Sequence, residues 1–223
     1  MHLLRIIKRI LDKILGAKSD ELSWKFRHLF DKEWAKGYIS ENAINHPHRK
    51  LLVEEISQFN PFESVLELGS AAGANLFLLA KKYPNAKFYG IDVSKKAVKE
   101  GQKFFAEKEI KNVFLKTSNI TDLKSFANKS IDVVFSDAAI IYIGKKEIEL
   151  VFKEIFRIAK KAVILCEQHT DKESFYNNRW IYNYEKIVKK INPNAQIHFS
   201  RLPKGIFGGD WDKYGHIIEV SLQ

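Results

Sequence analysis

The stretch that decides the fold is VLELGSAAGANL, residues 65–76. It starts with apolar, β-forming residues, holds two glycines in the middle and ends where a helical pattern begins. Glycines between a strand and a helix form a tight turn, let a ligand approach the backbone and present free amide N–H groups at the helix start. The stretch therefore predicts a strand–turn–helix unit with a ligand site at the turn.

Short β-rich apolar runs recur around this unit. They are SVLEL (64–68), KFYGI (87–91), NVFL (112–115), IDVVF (131–135) and AVILC (162–166). Helical patterns about 10 to 15 residues long separate them, which predicts right-handed βαβ crossovers and a parallel sheet covered on both faces. Two later runs, AQIHF (195–199) and GHIIEVSL (215–222), have only loop between them and are predicted to close the sheet as an antiparallel pair. The predicted fold is α/β, a doubly wound, mostly parallel seven-stranded sheet with an antiparallel final strand and a helical N-terminal extension.

Length and composition exclude several classes of protein. The 223 residues suit one α/β domain, and 45% hydrophobic with 29% charged residues is typical of a packed globular chain. The single cysteine, Cys166, cannot form an internal disulfide or a thiolate zinc cluster, so we expect no metal site and a cytoplasmic protein. Because Cys166 lies in an apolar strand, it is interpreted as a buried small hydrophobe rather than a nucleophile.

The net charge of +10 raises the question of nucleic-acid binding. The lysines are spread along the chain as KK pairs instead of being concentrated with aromatic residues in one segment. Solvated helix faces explain this distribution, so nucleic acid is not the expected partner.

The N-terminal segment is the least evenly composed part of the chain. From Leu3 to Leu15, apolar residues follow a helical period with a basic polar face, and Gly16 can end the helix. A helix of about 20 Å cannot cross a hydrocarbon core of ~30 Å. It is predicted to pack on its own domain; the alternative is a partner or the inner face of a membrane. We divide the chain into residues 1–45, the amphipathic helix and a helical cover, and residues 46–223, the α/β domain.

The first turn does not match a dinucleotide fingerprint. In G-x-G-x-x-G the second and third glycines would stand at Ala71 and Ala74, and the second must be bare for pyrophosphate to reach the backbone. A cofactor without pyrophosphate fits better. Asp92 ends the second predicted strand, nineteen residues beyond Gly73, where a carboxylate can accept hydrogen bonds from two ribose hydroxyls.

Five motifs in order resemble the class I S-adenosylmethionine-dependent methyltransferases, with Rossmann-like fold, over roughly residues 45 to 220. They are VLELGSAAGANL, YGIDVS (89–94), SNITDL (118–123), IDVVFSDAAIIYI (131–143) and FKEIFRIAKKAVIL (152–165). The resemblance implies S-adenosylmethionine as cofactor and an enzyme that transfers its methyl group. The residues it implies for cofactor binding are Glu67, Gly69, Ser70, Ala71, Gly73, Asn75, Asp92, Val93, Asn119, Ile120 and Ser136.

Two residues depart from the family pattern, and several have structural alternatives. Ala71 stands where many members have glycine, and Asn119 where many have aspartate, although Asn119 still offers the adenine amine an acceptor. The glycines are alternatively a simple βα turn, Asp92 with Ser94 a helix N-cap, and Asn119 with Asp122 turn formers.

Catalysis requires a positioned nucleophile and a base for its proton. The catalytic candidates are His169, Asp137, Tyr142 and Glu167, and His46 and His48 are alternatives that reach over from the cover segment. His169 is the preferred base, because it follows the fifth strand and a neutral imidazole accepts a proton near pH 7. Strand alternation would place Glu167 beside it as the orienting carboxylate. The segment GGDW (208–211) is either a lid that faces the substrate or an ordinary turn.

The stretch Ser136-Asp137-Ala138-Ala139 lacks the [DN]-P-P-[YF] motif common in enzymes that methylate exocyclic amines of bases. The resemblance therefore implies O- or N-methylation of a small-molecule or a lipid- or sugar-linked acceptor. A non-catalytic or membrane-tethered protein that kept the cofactor fold is the alternative, and an RNA methyltransferase is the third hypothesis. The sequence does not specify the oligomeric state.

Overall fold

The computed structural model describes residues 34–176 and 179–222. Their helices are α1 (Trp34–Gly37), α2 (Glu41–Ile44), α3 (Pro47–Ser57), α4 (Ala74–Lys82), α5 (Lys95–Glu107), α6 (Ile148–Ile158), α7 (Tyr184–Ile191) and α8 (Asp210–Tyr214), with a 3-10 helix at Ile140–Tyr142. Their strands are β1 (Ser64–Leu68), β2 (Lys87–Asp92), β3 (Val113–Thr117), β4 (Ile131–Asp137), β5 (Ala159–Gln168), β6 (Ser174–Tyr176), β7 (Arg179–Ile181), β8 (Gln196–Arg201) and β9 (Gly215–Ser221). None of the helices in this part of the chain has the length and apolar character needed to cross a bilayer. The predicted helix at Leu3–Leu15 and the start of the 1–45 segment lie outside the described residues.

Seven strands form one sheet in the order β3-β2-β1-β4-β5-β9-β8. Neighbours from β3 to β5 pair in parallel, whereas β9 runs antiparallel to both β5 and β8. The predicted doubly wound sheet with an antiparallel final strand is confirmed. Leu68 of β1 pairs with both Ile91 and Ser136, so the carboxyl ends of β1, β2 and β4 meet at one edge. Ligand sites of open α/β sheets lie at this edge.

Helices cover both faces of the sheet because its central strands are apolar on both sides. On one face, Phe152 and Ile155 of α6 and Val188 of α7 join a buried cluster with the strands. On the other face, Leu52 and Ile56 of α3 lie in a second buried cluster with residues of α4 and α5. Burial on two faces holds the strand ends, and the loops that follow them, in fixed relative positions.

Local sequence signals set the helix starts. Pro47 occupies the first turn of α3, where its missing N–H costs nothing, as predicted. The Ser94 hydroxyl accepts a hydrogen bond from the amide of Ala97 (3.2 Å) and caps α5. Before α3, Trp34 and Ala35 of α1 pack with Ala97, so this part of the cover segment rests on α5.

Two features differ from the sequence-based expectations. β5 spans Ala159–Gln168 instead of 162–166, because its ends pair with β4 and β9. The hairpin of β6 and β7 was not predicted, and it forms a separate two-stranded sheet. Next to the hairpin, Tyr182 donates its hydroxyl hydrogen to the carbonyl of Ile143 (2.6 Å) and so ties this region to the loop after β4.

Candidate active site

A cavity of about 260 Å³ lies at the carboxyl edge of the sheet. Its walls come from the cover segment, from the loops after β1 to β4 and from the loop before α8. The lining residues are Trp34, Tyr38, His48, Arg49, Gly69, Ala71, Asp92, Val93, Asn119, Ile120, Asp137, Ala138, Ala139, Tyr142, Ile143 and Phe207. Predicted site residues from four separate sequence motifs therefore line the same cavity.

The turn after β1 is held by hydrogen bonds to β2. The amides of Gly69 and Ser70 both donate to the carbonyl of Ile91, at 2.8 and 3.0 Å. Gly69 and Gly73 have φ of +75° and +88°, which glycine adopts without strain. A Cβ atom on Gly69 would overlap the Cβ of Ala139, so glycine at this position also permits the loop after β4 to pack on the turn.

Asp92, at the end of β2, stabilises the same turn. Its Oδ2 accepts from the amide of Ala71 (2.9 Å) and its Oδ1 from the amide of Ser94 (2.8 Å). Burial raises the pKa of Asp92, and these two amide bonds act in the opposite direction. A carboxylate has about four acceptor positions, so each oxygen keeps capacity for a ligand hydroxyl. The structural and the ligand-binding interpretations of Asp92 are therefore compatible.

The loop after β3 places Asn119 and Ile120 at the cavity. Asn119 Oδ1 accepts from the amide of Thr121 (2.9 Å) and from its hydroxyl (3.0 Å), and the carbonyl of Asn119 accepts from the amide of Asp122. This is the turn former anticipated from the sequence. Because Asn119 also lines the cavity, its side chain is both part of the turn and accessible to a ligand.

A buried polar network forms the floor of the cavity around Asp137. Asp137 Oδ2 accepts hydrogen bonds from His48 Nε2 (3.0 Å), Asn75 Nδ2 (3.0 Å) and Arg49 Nη1 (3.4 Å). Burial alone would raise the pKa of Asp137, but the hydrogen bond and charge of His48 and the charge of Arg49 lower it to about 2. Asp137 is therefore a carboxylate at neutral pH.

Asn75 links this network to Glu67 on β1. Asn75 Oδ1 accepts from Arg49 Nη1 (2.7 Å), and its Nδ2 donates to Glu67 Oε1 (2.7 Å). Burial raises the pKa of Glu67 to about 8, although the bond from Asn75 opposes this. The Oε2 of Glu67 and the Oγ of Ser70 are buried without a hydrogen-bond partner. A polar ligand or an ordered water beneath the first turn would give these two atoms a hydrogen-bond partner.

Two histidines at the start of α3 lie next to Asp137. His46 Nδ1 and His48 Nδ1 are 2.5 Å apart, and the ring of Phe207 packs on both imidazoles at centroid distances of 5.3 and 4.5 Å. His48 is buried, whereas His46 is partly exposed. Burial lowers the pKa of His46, and the charges of His48 and Arg49 lower it further. The chain Asp137–His48–His46 therefore runs from the cavity floor toward solvent.

His169, the preferred base, does not line the cavity. Its Nδ1 accepts from the amide of Tyr184 (3.3 Å), and its ring packs on Phe199 at 4.4 Å. Burial lowers the pKa of His169, and His216 adds to this effect. The expectation that His169 faces the methyl-transfer space is wrong, because the chain turns after β5 and directs the ring toward β8 and α7.

Glu167 does not pair with His169 either. Its oxygens instead accept hydrogen bonds from Ser136 and from the loop after β4. Two other candidates, Tyr142 and Val93, do line the cavity. Ser136 is fully buried beneath the loop, where it donates to Glu167 Oε1 (2.5 Å), so its side chain does not reach the cavity.

The sequence analysis did not single out Arg49, Trp34, Tyr38 or Phe207 as site residues. Of these four residues, only Arg49 had a signal in the sequence, because it lies next to the two histidines of NHPHRK. In the GGDW region, the side chain that reaches the cavity belongs to Phe207, just before the glycines, whereas Trp211 lies in α8 and packs on Phe207 at 5.0 Å. Within the described residues, no cluster of three potential ligands suits a metal ion.

The model of a methyltransferase domain matches residues 60–220 of this chain. The release factor glutamine methyltransferase of Flavobacterium psychrophilum is 28% identical over 169 residues, which cover 73% of this chain and 56% of that protein. The tRNA (guanine-N(7)-)-methyltransferase of Oceanobacillus iheyensis is 29% identical over 111 residues, or 47% of this chain and 51% of that one. The chain thus spans about half the length of these curated relatives.

Among solved structures, the magnesium protoporphyrin IX methyltransferase of Synechocystis PCC 6803 with bound SAH has a TM-score of 0.63 and 17% identity, over 81% of this chain and 84% of that one. At this identity the likeness concerns the fold. The match of the family model over most of the α/β domain confirms the resemblance drawn from the five motifs. This chain belongs to the methyltransferase-domain family.

Proposed function

We propose that this protein transfers a methyl group from S-adenosylmethionine to oxygen or nitrogen of a small-molecule or a lipid- or sugar-linked acceptor, with His48 as the general base. The observation that carries the proposal is the hydrogen bond of 3.0 Å between His48 Nε2 and Asp137 Oδ2 at the wall of the cavity. A base oriented by a carboxylate next to a ligand site is the arrangement that proton abstraction requires.

The residues around the first turn suit the cofactor. Asp92 has acceptor capacity for ribose hydroxyls, and Gly69 presents only backbone atoms to the cavity. Asn119 and Ile120 stand where the adenine would lie, and the Oε2 of Glu67 is an unpaired polar atom beneath the turn. When bound, S-adenosylmethionine supplies a methyl group that is already activated by its sulfonium. The protein therefore has to position the acceptor and take its proton.

The tautomer of His48 follows from its partners. Nε2 faces the Asp137 carboxylate, so this nitrogen carries a hydrogen and Nδ1 is the basic nitrogen. Nδ1 of His48 also lies 2.5 Å from Nδ1 of the partly exposed His46, so one hydrogen lies between these two nitrogens. Both nitrogens of His48 are engaged in this geometry, so His48 takes the proton of the acceptor only when the ring of His46 turns away from Nδ1. The imidazolium that then forms lies beside the Asp137 carboxylate.

The walls of the cavity favour a small acceptor. Trp34, Tyr38, Tyr142 and Phe207 give it aromatic sides, and a concave site with aromatic walls is typical of small organic ligands. The Synechocystis neighbour is named for a small-molecule substrate, whereas the two curated relatives are named for a protein and an RNA. The loop after β4 also lacks the [DN]-P-P-[YF] motif of base-amine methylation.

The test uses methyl-labelled S-adenosylmethionine and a cell extract separated into small-molecule, lipid, RNA and protein fractions. We expect label in the small-molecule or lipid fraction. With that fraction, His48→Gln should lower turnover at least about 100-fold, because a positioned base contributes 10²- to 10⁴-fold. Its affinity for S-adenosylhomocysteine (SAH) should stay within about twofold of wild type.

His198→Gln is the matched control, because His198 is an exposed histidine on β8. It should behave as wild type. Label only in RNA or protein would overturn the assigned acceptor class. Tight SAH binding without transfer to any fraction would favour a non-catalytic binding protein, and normal turnover by His48→Gln would exclude His48 as the base.

A further inference from the structure

Glu167 is a buried acid whose hydrogen bonds all lead to the end of β4 and the loop that follows it. It lies near the end of β5 with no exposed surface. Its Oε1 accepts from the hydroxyl of Ser136 (2.5 Å) and from the amides of Ala139 and Ile140 (both 2.9 Å), and its Oε2 accepts from the amide of Ile141 (3.3 Å). Three consecutive amides at the start of a 3-10 helix thus converge on one carboxylate.

The loop that Glu167 holds forms one wall of the cavity. Ala138, Ala139, Tyr142 and Ile143 all line it. Ala138 has φ of +55°, a conformation that an alanine keeps only when its surroundings enforce it. Ala139 packs so closely on Gly69 that a Cβ atom there would overlap it. The position of this loop therefore also sets the shape of the first turn.

We infer that Glu167 is a positioning residue, whose carboxylate fixes the loop after β4 against the glycine turn and thereby sets the affinity for the cofactor. The inference rests on the proposed function, in which this loop bounds the space for the cofactor and the acceptor. Glu167 itself touches neither, because it is not among the residues that line the cavity.

The carboxylate acts through its acceptor positions, so its charge state matters. Burial raises the pKa of Glu167 to about 7, while the bonds from Ser136, Ile140 and Ala139 oppose the shift. The titratable groups that face it are Asp137 on β4, Cys166 on β5, Tyr184 on α7 and His216 on β9. His216 is the cross-strand neighbour of Glu167. Protonation converts one oxygen into a donor, which opposes the loop amides. Cofactor affinity should therefore fall as pH drops through the neutral range.

The first test compares Glu167→Gln with Val163→Ala. The glutamine keeps the size of the side chain, but its NH₂ group replaces Oε2 and meets the amide of Ile141, which needs an acceptor, so SAH should bind at least about tenfold more weakly by calorimetry. Val163 is a fully buried residue of the same strand, and its truncation lowers stability without touching the carboxylate. Val163→Ala should lower the melting temperature and leave SAH affinity within about twofold.

Ser136→Ala provides a milder second variant, since it removes one of the four donors and keeps the carboxylate. It should weaken SAH binding about threefold, and it remains informative where Glu167→Gln does not fold. Wild-type SAH affinity in either folded variant, or equal losses in Glu167→Gln and Val163→Ala, would overturn the inference.

A readout independent of the cofactor separates this inference from the proposed function. In ¹⁵N-resolved NMR spectra without ligand, the amides of Ala139 and Ile140 should titrate with a midpoint near the pKa of Glu167, about 7, and should lose this titration in Glu167→Gln. If wild type bound no SAH, the proposed function would fail, whereas the amide titration would still report on the loop. If the amides did not titrate and Glu167→Gln bound SAH normally, only the positioning role would fail.

Discussion

Ala71 keeps a backbone conformation that alanine rarely adopts. Its φ of +46° lies in the left-handed region, at the position where many family members have glycine. Its amide donates to Asp92, so the turn is held in this conformation by a partly buried hydrogen bond. The local cost is of the order of 1 kcal/mol for a residue with a Cβ atom. Alanine at this position therefore places strain of this size in the turn.

Ala71→Gly should accordingly raise the free energy of unfolding, by up to about 1 kcal/mol. Urea denaturation monitored by circular dichroism measures the change. Ala74→Gly is the matched control, because Ala74 is a buried residue at the start of α4. It should lower the free energy of unfolding by about 1 kcal/mol. A loss of stability in both variants would contradict the strained conformation of Ala71.

The helix α5 packs directly on the first turn, with no side chain between them. A Cβ atom on Gly101 would lie 2.5 Å from the carbonyl oxygen of Ala72. Alanine in a helix is otherwise about 1 kcal/mol more favourable than glycine. The backbone clash outweighs this gain, because overpacking at a rigid contact costs about 1–3 kcal/mol. The glycine thus allows the helix to support the turn directly.

We therefore expect Gly101→Ala to lower the free energy of unfolding by up to about 2 kcal/mol, the difference between these two effects. Thermal and urea denaturation measure it. Gly37→Ala is the control, since a Cβ atom there would meet nothing within 4 Å, and its stability should be unchanged or slightly higher. A stabilised Gly101→Ala variant would show that α5 moves freely away from Ala72.

The elements around the site were predictable to different degrees. The strands that carry Gly69, Asp92 and Asp137 have strong local signals, since apolar runs end in glycines or acids at fixed spacing. The direction of the chain after β5 has no such signal. His169 leaves the sheet edge because its backbone amide bonds to the carbonyl of Tyr214 and its ring packs on Phe199, both distant in sequence. Long-range packing of this kind cannot be derived from periodicity, and the same holds for Phe207.

At the scale of the whole molecule, the buried acids link stability to pH. Burial raises the pKa of Glu67 to about 8 and that of Glu167 to about 7, both above their values in an unfolded chain. The folded state therefore binds more protons than the unfolded state between about pH 4.5 and 8. Their contribution to stability is fully present below that range and is lost as pH rises through the folded pKa values.

The free energy of unfolding should consequently decrease between about pH 7 and 8.5, above the range in which histidines of lowered pKa titrate. Urea denaturation at several pH values measures this slope. Glu67→Gln should flatten it, because glutamine keeps the bond with Asn75 and has no charge to bury. An equal slope in wild type and variant would show that Glu67 does not titrate in this window.

The parallel pairing of the central strands and the edge that carries the site follow from sequence, because the strands are apolar enough to require cover on two faces and alternate with helices. The order of the strands was not predicted, and the pairing of His48 with Asp137 does not follow from sequence either. His46 and His48 were alternatives, and the 3.0 Å contact between His48 and Asp137 depends on how α3 packs over β4, residues 89 positions apart. A contact set by tertiary packing requires the three-dimensional structure.

Every proposed role of these residues depends on the binding of S-adenosylmethionine in the cavity at Asp92. Calorimetric titration of SAH into wild type and Asp92→Asn tests it most directly, with Asp122→Asn, an exposed acid of the loop after β3, as control. We predict that wild type and the control bind SAH equally and that Asp92→Asn loses about 1.5–3 kcal/mol, the range for charge-assisted hydrogen bonds. Unchanged affinity in Asp92→Asn, or tighter binding of a nicotinamide dinucleotide than of SAH by wild type, would contradict the claim.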